Sequence, residues 1–225
     1  MPTIRSLSLS KVLGFLTGVL IVRVVFSVVF RYVDYVPPNF ESDFLTGREG
    51  YFWGGYHWAF YFHLVGGPPT LILGLILIND RFRQRLPQWH RILGRVQVCV
   101  VLLVIVPSGL WMASRAAAGP VAGVGFAMLA VVTGVAVVQG WRTAVQRRFA
   151  AHRRWMWRCF LMLCSTVVLR LIVGFSIVTG MEGQWVAVFA AWGSWLVPLA
   201  VFEMTGITNG VLRHPSIRPD RAVPR

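Results

Sequence analysis

The chain has 225 residues, of which 56% are hydrophobic and 13% charged, and its formal charge is +14. That balance is too apolar for an ordinary soluble domain and fits a chain that crosses a membrane several times. A disulfide framework or a zinc site is also excluded, because Cys99, Cys159 and Cys164 fall within or beside apolar runs and form no CxxC.

Crossing the hydrocarbon takes roughly 20 mostly apolar residues as a helix. Six runs qualify, at about 12–33, 57–79, 92–114, 120–141, 155–179 and 184–207. They do not alternate as the strands of a membrane barrel would. The expected fold is therefore all-α, a polytopic bundle of six transmembrane helices forming one domain over 1–225. No small-residue cleavage site follows the first run, which reads as a retained helix.

Taken in chain order, the first run carries Arg23 near its middle, with no acid at its depth. Residues 34–56 are acidic and punctuated by Pro37, Pro38, Gly47, Gly50, Gly54 and Gly55, the chemistry of an external loop that could cap the bundle. The second run contains FHLVGGPPTLILG at 62–74. Pro68 and Pro69 lack amide donors, so they leave the carbonyls of Leu64 and Val65 without their helical partners and predict a kink. His63 sits roughly 10 Å in from the outer side. The third run is preceded by LPQWHRILGR and the fifth by AHRRWMWR, a faint internal echo that would suit a parallel repeat. The fourth run is rich in Gly and Ala, which places it inside the bundle. Arg170 lies in the outer part of the fifth run, at a level it could share with His63. Glu203 lies near the inner end of the sixth, with many arginines at its level and a structural ion pair as its plainest reading. Residues 213–225 form a Pro- and Arg-rich tail with the composition of a disordered segment. Eight of the ten tryptophans sit near span ends as an aromatic belt, and Trp192 and Trp195 are expected to share a packing face.

The positive charge is not spread evenly. Seventeen of the 22 basic residues fall in the N-terminus, the loops between spans two and three and between spans four and five, and the tail. With six spans all four segments lie on one side. By the positive-inside rule both termini are cytoplasmic, in what reads as a bacterial inner membrane. Such clusters are expected to meet anionic lipid headgroups rather than nucleic acid.

His90 and His152 matter most for chemistry. Each opens a helix at the basic rim, facing the positive end of a helix dipole among arginines, so a neutral imidazole is the expected form. Two such histidines at one depth on different helices could be the axial ligands of a b-type haem, the only cofactor the sequence suggests. Arg91, Arg95, Arg153 and Arg158 would stand ready for its propionates. The competing reading needs no cofactor, because helix N-termini rich in Arg and His also bind lipid phosphates. On the outer side, His63 and Arg170 are candidates to line a cavity.

FHLVGGPPTLILG, LPQWHRILGRVQV, a small-residue span ending GWRTAVQRR, then AHRRWMWRCF and VLRL together resemble a bacterial family of multi-pass membrane proteins, domain of unknown function 2306. The resemblance covers about 57–175. It implies that His63, His90, Arg91, Gly94, Arg95, His152, Arg153, Trp155, Met156, Arg158 and Arg170 are pattern positions. Pro68 and Pro69 depart from the small or aliphatic residues expected there. The family carries no assigned activity, and its helix-plus-histidine layout is similar by analogy alone to four-helix membrane cytochromes b. Three functions stand at this point: a haem protein passing electrons; a non-catalytic subunit or scaffold of a larger membrane complex that binds anionic lipid; and, last, a small-solute transporter, for which no coupling carboxylate sits at the midplane.

Overall fold

The computed structural model describes residues 9–42 and 44–204, so the tail at 213–225 lies outside the described residues. Among the described residues, six helices are long and apolar enough to cross a membrane: span one (Gly14–Asp34), two (Glu49–Leu77), three (Pro87–Ala113), four (Pro120–Val145), five (Phe149–Thr179) and six (Gln184–Met204). The described residues form no sheet, only an isolated bridge between Tyr35 and Pro38. The all-α, six-span expectation therefore holds.

Several helices begin earlier than hydropathy alone marks them. Span three starts at Pro87, whose fixed φ and missing donor suit a first helical position. Span five starts at Phe149. In both cases the first turns are polar and basic, which hides them from an apolar window. A short helix, Asp80–Arg85, links spans two and three and is capped by Asn79, whose side chain accepts from the amides of Arg81 and Phe82.

Span four is the most deeply buried of the six, followed by span six. Span four packs along the first half of span five, along the second half of span three and against span six. Small residues allow this. A Cβ on Gly125 would lie 2.9 Å from the Trp192 indole nitrogen, and one on Gly140 would lie 2.5 Å from the Met156 sulfur. Trp192 in turn donates to the Val121 carbonyl at 3.1 Å and packs beside Trp195, with ring centroids 6.0 Å apart. Span one is peripheral, resting on span two and on the second half of span five.

The kink in span two is covered by protein. The Tyr32 hydroxyl of span one donates to the Leu64 carbonyl, the acceptor that Pro68 leaves without its helical donor. Tyr32, Val65, Pro68 and Pro69 border a groove of about 570 Å³ between spans one and two. Span three has its own irregularity. Pro107 removes the amide that the Leu103 carbonyl would have accepted from, and the ladder opens into a π turn over Val101–Ile105.

The loop between spans one and two caps one end of the bundle, as its composition suggested. Leu45, Phe52, Tyr56 and Phe60 form a buried cluster there, and Tyr61 donates to the Tyr35 carbonyl at 2.8 Å. Arg48 is buried in this cap with its guanidinium 4.6 Å from the Phe44 ring.

Candidate functional site at the basic rim

His90 and His152 are each the fourth residue of their helix, counted from Pro87 and Phe149. Each backbone amide bonds the carbonyl of the residue preceding the helix, Leu86 for His90 and Arg148 for His152, both at 2.9 Å. The echo between the two segments is thus a true equivalence of backbone position. Both side chains are half-buried. They lie near enough for the charge of His152 to act on His90, and Arg83 acts on both.

The two rings are held differently. His152 Nδ1 lies 2.8 Å from the Gly140 carbonyl oxygen. A carbonyl only accepts, so Nδ1 carries the proton and donates, and the lone pair of neutral His152 stands on Nε2. His90 Nδ1 is buried and has no hydrogen-bond partner among the described residues. Two turns further along the same face of span three is Gln97, 2% exposed. Its amide nitrogen donates to the Thr70 carbonyl at 2.9 Å, while its buried oxygen has no partner among the described residues.

The arginines divide into three groups. Arg91 and Arg95 are exposed on span three. Arg153 is half-buried, and its Nε has no partner among the described residues. Arg158 is engaged: its Nε donates to Glu203 Oε1 at 2.6 Å and a terminal nitrogen to Oε2 at 3.1 Å. Its guanidinium carbon also lies 4.5 Å from the Trp155 ring centre, and Arg154 reaches Glu203 at 3.5 Å. Glu203 thus forms the ion pair that its supply of arginines suggested, with Arg158 as its main partner.

His63 and Arg170 are occupied separately. His63 Nδ1 lies 3.0 Å from Ser108 Oγ. The Ser108 proton goes to the Val104 carbonyl, so His63 Nδ1 donates to the hydroxyl. Arg170 is exposed and donates within its own helix, to the Thr166 carbonyl and hydroxyl. Neither residue borders the groove between spans one and two, nor the cleft of about 460 Å³ between spans three and four near Ser114 and Gly119.

Sequence reasoning passed over Gly140, Ser108 and Gln97. A backbone carbonyl partner leaves no trace in sequence. Ser108 could have been found as the hydroxyl following Pro107, and Gln97 as a lone amide seven residues after His90 in an apolar run.

These features define a polytopic α-helical membrane protein. The model of the predicted membrane protein family, domain of unknown function 2306, matches residues 60–205, and the chain belongs to that family. The match continues through span six, beyond the stretch to 175 that the motifs covered. No curated protein and no solved structure matches the chain.

Proposed function

We propose that this protein passes electrons through one b-type haem held at the basic rim by His90 and His152. The observation that carries the reading is the bond from His152 Nδ1 to the Gly140 carbonyl. Metal-bound histidines characteristically donate their second ring nitrogen to a carbonyl or carboxylate, which fixes the ring and raises the basicity of the ligating nitrogen. His90 complements it, because its buried Nδ1 has no partner among the described residues, as a ligand atom awaiting its metal would. In this reading His152 Nε2 and His90 Nδ1 are the ligating atoms. When bound, a b-type haem supplies reversible one-electron chemistry.

Around it, this chain's residues bind and orient. Arg91, Arg95 and Arg153, which make no ion pair among the described residues, would meet its propionates. Arg158 contributes by tying span five to span six through Glu203 rather than by holding the cofactor. In this reading the basic face is cytoplasmic, by the positive-inside rule, and the membrane is a bacterial inner membrane. Labelling of single cysteines placed at Gln146 and Glu182 with an impermeant reagent tests the orientation, since only the second should react from outside.

The absorption spectrum of the detergent-purified protein tests the haem. A Soret band after expression with ample haem is expected, and it should be lost in His90→Ala and in His152→Ala. No band, or a band unchanged in both variants, overturns the reading.

A second reading rests on a different observation. Arg91 and Arg95 are exposed one turn apart on the basic face, which suits anionic lipid headgroups. Phosphatidylglycerol or cardiolipin retained through purification, and lost in Arg91→Gln/Arg95→Gln, would support it. Retention unchanged in that variant would count against it.

A further inference from the structure

Span one is an outlier in this bundle. Only 11% of its apolar window is buried, against 44% for span four. Its inward face is set by Ile21, 1% exposed, which packs with Leu71, Phe160 and Val167. Arg23 follows two residues later, which at 3.6 residues per turn places it about 200° round the helix, away from the bundle. The same outward face carries Phe15, Val19, Phe26 and Phe30, exposed by 71%, 50%, 69% and 71%. Arg23 is exposed among them.

An arginine here is poorly provided for. It lies nine positions after Gly14 and eleven before Asp34, so it stands about two and a half turns from one end of the span and three from the other. No hydrogen bond, ion pair or ring contact joins it to another of the described residues. An ionised side chain turned to hydrocarbon at this depth is costly, and such residues almost always pair within protein. A second copy of this chain does not offer the partner. Among the described residues, the carboxylate within a span that lies away from the acidic loop is Glu203, near the end of span six and already held by Arg158 and Arg154.

We propose that the outward face of span one docks a transmembrane helix of a different membrane protein, one with an Asp or Glu near the middle of its span. Arg23 and that carboxylate form the polar centre of the interface, and Phe15, Val19, Phe26 and Phe30 supply its apolar border. The charge sets which helix binds and at what depth, since any other placement leaves two ions in lipid.

The test uses the full-length protein in its native membranes, with a photo-crosslinking phenylalanine analogue at Val19 or at Phe26. The expected adduct is one membrane protein with a mid-span carboxylate. Arg23→Leu should lower its yield by about tenfold or more, as expected for breaking a buried charge pair, and Arg23→Lys should largely retain it. Exchanging the charges, Arg23→Glu against the partner's carboxylate→Arg, should restore it. Arg23→Gln replaces Arg23→Leu if the latter fails to accumulate. Adducts to lipid or to a second copy alone overturn the proposal. So do a partner without a mid-span acid, an adduct indifferent to Arg23→Leu, and a charge exchange that does not restore it.

Discussion

His152 Nδ1 and the Gly140 carbonyl oxygen stand 2.8 Å apart, joining the first turn of span five to the last turns of span four. Glycine makes this possible, because the helices cross where a Cβ on Gly140 would lie 2.5 Å from the Met156 sulfur and 3.6 Å from the Trp155 Cβ. One position thus sets both the approach of two spans and the orientation of a candidate ligand.

Gly140→Ala should accordingly destabilise the bundle by about 1–3 kcal/mol, the usual cost of overpacking a tight site. Thermal unfolding in detergent measures it. Adding Met156→Ala should recover part of the loss by opening room for the new methyl. An unchanged midpoint in Gly140→Ala would contradict a tight crossing at this position.

Much of the architecture is written in hydropathy and charge, and it is instructive where the legibility stops. Six apolar runs separated by alternating charge gave the span number, and the Gly and Ala of span four gave its central place. Helix starts were obscured at Pro87 and Phe149 because the first turns hold Trp89, His90, Arg91 and His152 to Arg154, which no hydrophobic window admits. The candidate ligands His90 and His152 could be named from residue type and position. Their different hydrogen bonding could not, because it depends on helix rotation and on a backbone carbonyl. Likewise, Glu203 had many arginines at its level, and only the rotation of span five about span six selects Arg158. The π turn over Val101–Ile105, which brings Ser108 to His63, follows from Pro107 only once the helix is built.

Tyr32→Phe isolates the hydrogen bond across the span-two kink. The Leu64 carbonyl would lose its described donor while the ring packing stays. The expected cost is about 0.5–1.5 kcal/mol, the range for a single interhelical bond in a membrane protein. Unfolding in detergent should show it. An equal loss in a variant with Pro68 and Pro69 both replaced by Ala, where the helix supplies its own donors, would contradict this account.

Glu203 and Arg158 make a bidentate pair, with side chains 38% and 18% exposed. Given that exposure, Glu203→Gln should cost only about 1 kcal/mol, and less as salt rises. Arg158→Lys should cost a similar amount, because an ammonium cannot reproduce the two parallel bonds. A double-mutant cycle in detergent at two salt concentrations measures the coupling. Additive effects would show that the pair contributes nothing beyond its separate side chains. In the haem-loaded protein, Glu203→Gln should leave the Soret band in place, since Arg158 ties helices together rather than holding propionate.

The central claim is ligation by two histidines from different spans, and low-temperature electron paramagnetic resonance of the ferric, haem-loaded protein tests it most directly. The account predicts a low-spin signal in the wild type that is absent from His90→Ala and from His152→Ala. A high-spin wild type, or a low-spin signal that survives both substitutions, would contradict it.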